Sequence, residues 1–225
     1  MIDRAAMRWT GRDDGPEPEH FRWHHVVNAA GADAPAAIIG FASDEGVRRN
    51  QGRLGAAEGP LALRGMLANL ADPEREVVDV GDVVVADADL EGRQQRLADE
   101  VGAVLARGAL PIVLGGGHAV AYGSGSAWVR RDETWGVLNL DAHLDLRQAP
   151  RATSGTPFRQ LADDLEAAGK PFHYSVIGLS RPSNTRALLD TAERLGVEIL
   201  YDTDTGVGSA LAAAQALLAK VDRVH

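Results

Sequence analysis

The sequence predicts an α/β protein built on a mainly parallel sheet with helices on both faces. Three observations carry that prediction. Short, continuous apolar runs recur along the chain, as they do in strands buried on both faces. Helix-like stretches separate these runs, so strand and helix alternate. No apolar run is long enough to span a bilayer, and the opening "MIDRAAMRWTGRDDG" lacks the apolar core of a signal peptide.

Residues 1–35 are mixed and polar, with Pro16, Pro18 and Pro35 and no clear period, which predicts an irregular N-terminal segment. The first strand is "AAIIGFA" (36–42). A helix follows Pro60, well placed at a helix N-terminus, through "LALRGMLANL". "VVDVGDVVV" (77–85) reads as a further strand near an edge. A helix over 90–107 then leads to the strand "PIVLG" (111–115), and one over 119–131 to "WGVLNL" (135–140). Helices over 157–168 and 184–195 lead to "YSVIGL" (174–179) and "VEILY" (197–201). The last helix, 207–220, is very rich in Ala and Leu and hands over to "VDRVH" (221–225), which looks like the start of another buried strand. The sequence therefore reads as cut short, with C-terminal strands missing. No composition shift or linker divides 36–225, which predicts a single α/β domain there.

The 225 residues suffice for a sizeable core. With 23 basic and 32 acidic residues, the formal net charge is −9, which argues against a nucleic-acid or anionic-membrane partner. There is no cysteine, hence no disulfide, thiolate zinc site or Cys nucleophile. A soluble cytoplasmic protein is the expectation.

In an open parallel sheet, ligands bind beyond the carboxyl ends of the strands. "PIVL" runs into "GGGH", which puts His118 just past a strand and at the mouth of the helix starting near Ala119. "GVLNL" runs into "DAHLD", which puts Asp141, His143 and Asp145 on the same rim. Were 141–145 extended, the Cα atoms of Asp141 and Asp145 would stand roughly 13 Å apart. A shared metal therefore requires the chain to curl directly after Asp141. Carboxylates and imidazoles without sulfur suit manganese, iron or zinc. In the plainer reading, Asp141 caps a loop while His143 and Asp145 form a surface pair; His118 after a second strand shifts the balance towards metal. "GGGH" also has a rival reading as a nucleotide cradle, but that fingerprint needs a third glycine where Val120 stands.

Taken together, these residues resemble the ureohydrolase (arginase–agmatinase) family from about residue 38 onward. The strongest parts are "GGGHAVAYG" (115–123), "NLDAHLDLR" (139–147) and "TSGTPF" (153–158). "SDEGVRRNQGRLGAAEGPLALR" (43–64), "DLR" after the metal histidine and "SRPSNT" (180–185) are most similar to the formimidoylglutamase branch. That branch hydrolyses N-formimidoyl-L-glutamate to L-glutamate and formamide in histidine degradation. The resemblance implies a three-layer α/β/α sandwich, a homo-oligomer and two manganese ions. By motif, His118 and Asp145 would serve the first ion and His143 the second, with Asp141 bridging both. Asp141 and His143 are then catalytic as well as ligating, and a bridging hydroxide would attack the formimidoyl carbon. For the dianionic substrate the first candidate is Arg147, whose guanidinium can grip a carboxylate bidentately. The second is the loop Ser154, Gly155 and Thr156. The plainer readings are a surface ion pair for Arg147 and helix capping, with Thr156 as N-cap before Pro157, for the loop.

Three departures from the family pattern matter. The family's other metal motif, S-x-D-x-D on the next strand, would begin about where Val224-His225 stand, and Asp202 and Asp204 follow a different strand. Ala119 replaces the glutamate usual after "GGGH". Phe158 stands near where arginases place a histidine. The expectation is that these 225 residues hold at most one metal ion well and are impaired as an enzyme, because that motif supplies two further aspartates, one bridging, whose charge two close dications need. The alternatives are an agmatinase-like guanidino hydrolase and a non-catalytic metal-binding subunit of the same fold.

Overall fold

The computed structural model describes residues 2–28, 31–71 and 76–225, so residues 1, 29 and 30 of the N-terminal segment lie outside the described residues. The chain forms two compact units, Met1–Ser124 and Gly125–His225.

In the first unit β1 (Ala36–Ala42), β2 (Val77–Val84) and β3 (Leu110–Leu114) pair in parallel in the order β2-β1-β3. All seven β1 residues are buried, as its uninterrupted apolar run requires. The edge position expected for 77–85 is the one β2 takes. Its outer edge is closed by the N-terminal segment: Asp3 and Arg4 N–H donate to Asp82 O at 2.9 and 3.1 Å, and Asp82 N–H returns a bond to Arg4 O. An open edge would invite another chain to pair with it.

The helices of this unit are α1 (Trp23–Val26), α2 (Glu45–Arg49), α3 (Gly59–Leu67) and α4 (Leu90–Ala106). Asp89 caps α4 by accepting from Gly92 N–H at 3.0 Å. Leu90, Gln94, Leu97, Val101 and Val104 form the buried stripe of α4, the spacing of a helix face on a sheet. In α3 the usual pattern is inverted. Pro60 and Arg64 are buried, while Leu61, Leu63 and Met66 are exposed. Arg64 points inward because two carboxylates of β2 await it: Nε and Nη2 each reach Asp79 at 2.8 Å, and Nη1 reaches Asp82 at 2.6 Å. The neighbouring α2, for which the sequence has no clear period, is held by side chains, Arg48 and Arg49 both bonding Glu45.

A further helix, α5 (Val120–Val129), is followed by the second unit's sheet. There β4 (Trp135–Leu140), β5 (His173–Leu179), β6 (Glu198–Tyr201) and β7 (Arg223–Val224) run in the order β6-β5-β4-β7, all parallel. "VDRVH" does enter a strand: Trp135 pairs with Arg223, and Leu138 N–H donates to His225 O at 2.9 Å. β4 is thus flanked on both sides, and the chain leaves it from mid-sheet. The connecting helices are α6 (Pro157–Ala167), α7 (Arg186–Arg194) and α8 (Val207–Leu218). The strands over 36–42 and 135–140 coincide with their expected spans, and the helices end one to three residues inside theirs. Among the described residues, no helix is long and apolar enough to cross a membrane.

Candidate metal centre

Past Leu140 the chain turns at once. Asp141 N–H donates to Ile177 O on β5 at 3.2 Å. Asp141 Oδ1 then accepts from His143 N–H at 2.9 Å, the side-chain-to-backbone bond of an Asx turn. His143 Nδ1 lies 3.3 Å from the same oxygen. Asp145 has φ 47°, a left-handed conformation that costs a non-glycine residue on the order of 1 kcal/mol. Together these bends bring one carboxylate oxygen of Asp141 and one of Asp145 within 4.8 Å of each other. The curl that a shared ion requires is therefore present. Asp141 caps its loop as well, so the plainer reading of that residue and the metal reading coexist. His143, by contrast, faces Asp141, and its side chain is 57% exposed.

What fixes this loop lies outside the metal motif. Asn139, buried on β4, donates through Nδ2 to the Tyr174 hydroxyl at 3.1 Å and to His143 O at 3.4 Å. The Tyr174 hydroxyl in turn donates to Leu144 O at 3.1 Å. Asn184 Oδ1 accepts from Leu144 N–H at 3.0 Å, and its Nδ2 donates to Ala142 O at 2.8 Å and Ser180 O at 2.9 Å. Leu144 and Leu146 are fully buried and anchor the loop between its polar residues. Burial pushes the Tyr174 hydroxyl well above its ordinary pKa; the Asn139 bond opposes this, and the nearby Asp145 and Asp141 charges reinforce it. The hydroxyl is thus a standing donor. Sequence reasoning missed these three residues. Asn139 and Asn184 lie inside quoted motifs, whereas nothing local marks Tyr174.

The substrate candidates lie on the next stretch. Arg147 is exposed, its N–H donates to Gly155 O at 2.9 Å, and among the described residues no ion pair engages its guanidinium. Phe158 N–H donates to Asp145 O at 3.3 Å, which ties the start of α6 to the 141–145 loop. Thr156 occupies the N-cap position of α6, yet its hydroxyl makes no cap bond. It accepts from Thr153 N–H at 3.0 Å and lies 2.8 Å from Gln160 Oε1, so the hydroxyl braces its own loop instead of capping. Gly155 N–H is likewise taken, by Thr153 Oγ1 at 3.1 Å, and Ser154 is half-buried.

His118 belongs to the first unit, beyond β3, and is half-buried. The glycines before it are explained by packing. A Cβ on Gly116 would run into the carbonyl oxygen of Ala56, and one on Gly59 would stand 2.6 Å from Gly115 O. The two backbones touch, and only glycine permits that approach. Asp44 Oδ1 fixes the opposing turn by accepting from Gly55 and Ala57 N–H at 2.9 and 3.2 Å. Beside it, the hydrogen bond from Arg48 holds the Glu45 carboxyl down to about 2, against burial and with help from Arg49. Asp202 and Asp204 sit exposed in a 3-10 turn after β6.

The donor set fits manganese. Two carboxylates and an imidazole, without sulfur, suit that class of ion. Oxygens bound at roughly 2.0–2.6 Å to one ion stand at most ~4–5 Å apart.

Residues 34–225 match the model of the arginase family. The chain is 54% identical over 210 residues to a formimidoylglutamase of Chromobacterium violaceum, covering 91% of this chain and 67% of that protein. It is 49% identical over 231 residues to one of Nocardia farcinica, covering 99% and 74%. In structure it is similar to a variant of Trypanosoma cruzi formiminoglutamase with Mn2+, at TM-score 0.78 and 31% identity over 88% of this chain and 70% of that one. The arginase of Bacillus caldovelox superposes with TM-score 0.71 at 26% identity, over 85% and 74%. These neighbours share the parallel-sheet α/β architecture that the sequence predicts.

Proposed function

The chain belongs to the arginase family, and from that premise we propose that it is a manganese-dependent hydrolase of formimidoylglutamase type. Its substrate is N-formimidoyl-L-glutamate. Water adds to the formimidoyl carbon, the bond to the glutamate nitrogen breaks, that nitrogen takes up a proton, and formamide and L-glutamate leave. The observation that carries this reading is the turn after β4, with Asp141 and Asp145 oxygens within 4.8 Å and His143 set on Asp141. The same motif lies within the region 54% identical to a formimidoylglutamase.

In this reading Asp141, His143 and Asp145 would hold manganese, with His118 as a further ligand. The His143 ring stands beside Asp141, with Nδ1 3.3 Å from Oδ1, so its imidazole would be a donor on the same side of the loop. Manganese, when bound, supplies Lewis acidity that polarises the amidine and activates water. Arg147 binds a substrate carboxylate, held in place by its backbone bond to Gly155. Ser154 offers its hydroxyl, and Gly155 and Thr156 shape the loop. A soluble cytoplasmic homo-oligomer is the setting that accompanies this reading.

The test is product analysis with Mn2+ present. Formamide and L-glutamate released one-to-one from N-formimidoyl-L-glutamate support the proposal. Urea released from agmatine instead transfers the chain to the guanidino hydrolases. Manganese bound with neither product formed supports the non-catalytic subunit.

A further inference from the structure

We propose that Asn184 is a positioning residue for the metal loop, its side-chain amide standing in for a neighbouring strand and setting the peptide groups on either side of His143. The inference rests on the reading that this loop holds manganese. Asn184 Nδ2 donates to Ala142 O at 2.8 Å and Oδ1 accepts from Leu144 N–H at 3.0 Å. Those two groups flank His143 directly. A side chain more than half exposed gets little guidance from packing, so its direction is set by the backbone that carries it.

The remaining donor of the amide reaches Ser180 O at 2.9 Å, and Ser180 N–H also donates to Ala142 O at 3.0 Å. The loop is thereby fastened to the turn after β5. Asn184 is itself immobilised, since it is 7% exposed and lies between a 3-10 turn over Arg181–Ser183 and the start of α7. The chemistry asks for asparagine. Only a short amide offers an acceptor and two donors in one plane; aspartate keeps the acceptor without the donors, and alanine keeps neither.

The experiment uses Asn184→Asp and Asn184→Ala, with Leu217→Ala as a control that removes another buried side chain, on α8. Two quantities are read: the Mn2+ dissociation constant, from the resonance of free Mn2+ in a titration, and hydrogen exchange at the Leu144 amide. Weakening of about ten- to hundred-fold is expected in both Asn184 variants, the usual range when a support behind a ligand is lost. Exchange at Leu144 should accelerate at least tenfold in Asn184→Ala and less in Asn184→Asp, which still offers an acceptor. Leu217→Ala should leave both readouts near wild type. Wild-type affinity in both Asn184 variants, or equal weakening in Leu217→Ala, overturns the proposal. Should the wild-type protein bind no Mn2+, the functional reading fails by itself; Leu144 exchange then decides the positioning role, and unchanged exchange refutes it. Asn184→Asp, nearly the same shape, serves if the alanine variant does not fold.

Discussion

Tyr174→Phe removes one oxygen atom from behind the metal loop and nothing else. The ring keeps its contacts, with centroids 4.7 Å from Phe158 and 5.7 Å from Phe172. Two buried hydrogen bonds are lost: the one received from Asn139 Nδ2 at 3.1 Å and the one given to Leu144 O at 3.1 Å. Asn139 retains only its longer contact to His143 O at 3.4 Å. A buried polar group left without a partner costs about 1–3 kcal/mol, so two groups, one still partly served, should cost about 2–3 kcal/mol. Urea unfolding at pH 7.5 measures this. A pH series adds a sign. Burial raises the folded-state pKa of Tyr174 above the value of about 10 in an unfolded chain, so the hydroxyl's contribution is complete below pH ~10. Above that pH the unfolded state ionises first, wild-type stability falls, and the gap to the variant must narrow. A loss under about 0.5 kcal/mol, or a gap that widens above pH ~10, would refute the reasoning.

The Arg64→Met substitution should be more costly, about 3–5 kcal/mol in the same assay, because it strands the buried Asp79 and leaves Asp82 with Arg4 alone. A cost below about 1 kcal/mol would mean that the remaining bonds, from Trp9 Nε1 to Asp79 and Arg4 to Asp82, suffice. Glu45→Gln tests the opposite sign. A carboxyl held at about 2 contributes stability above its unfolded pKa and loses it as pH falls through 2. Thermal midpoints of variant and wild type should therefore differ at pH 7 and converge as pH falls from ~4.3 towards 2, and a constant gap refutes the pairing with Arg48 and Arg49. Finally, the 225-residue polypeptide should bind at most one Mn2+ tightly, since a second close dication needs further carboxylate charge. Two tight ions per chain in equilibrium dialysis would sink that expectation.

Much of the fold was legible because apolar runs and helix spans are local signals. β1 and β4 could be placed to the residue, and "VDRVH" could be recognised as a strand from five residues. The loop over 141–145 was half legible. Residue types and spacing gave Asp141, His143 and Asp145, and arithmetic on an extended chain demanded the curl. The supports escaped because they act across distance: Tyr174 lies 30 residues from Leu144, and Asn184 lies 40 from it. No period in a sequence encodes such a meeting. It exists only once β5 lies beside β4. The helix α2 escaped for a related reason, being fixed by ion pairs from Glu45 to Arg48 and Arg49 and by Arg49 reaching Glu91 on α4.

Helix α3 reverses the rule by which substitutions are usually judged tolerable. Replacing Leu61, Leu63 or Met66 with lysine or glutamate places charge where water already stands, since these side chains are 45, 42 and 75% exposed. Leucine at Arg64, the change that a hydropathy rule would welcome at an inward position, leaves the buried Asp79 without its cation and Asp82 with Arg4 alone. A substitution map of residues 61–66 should then run opposite to hydropathy, with the single charged position the least replaceable. Solubility redesign of this protein therefore has its freest ground on a helix that, from its letters alone, looks like core.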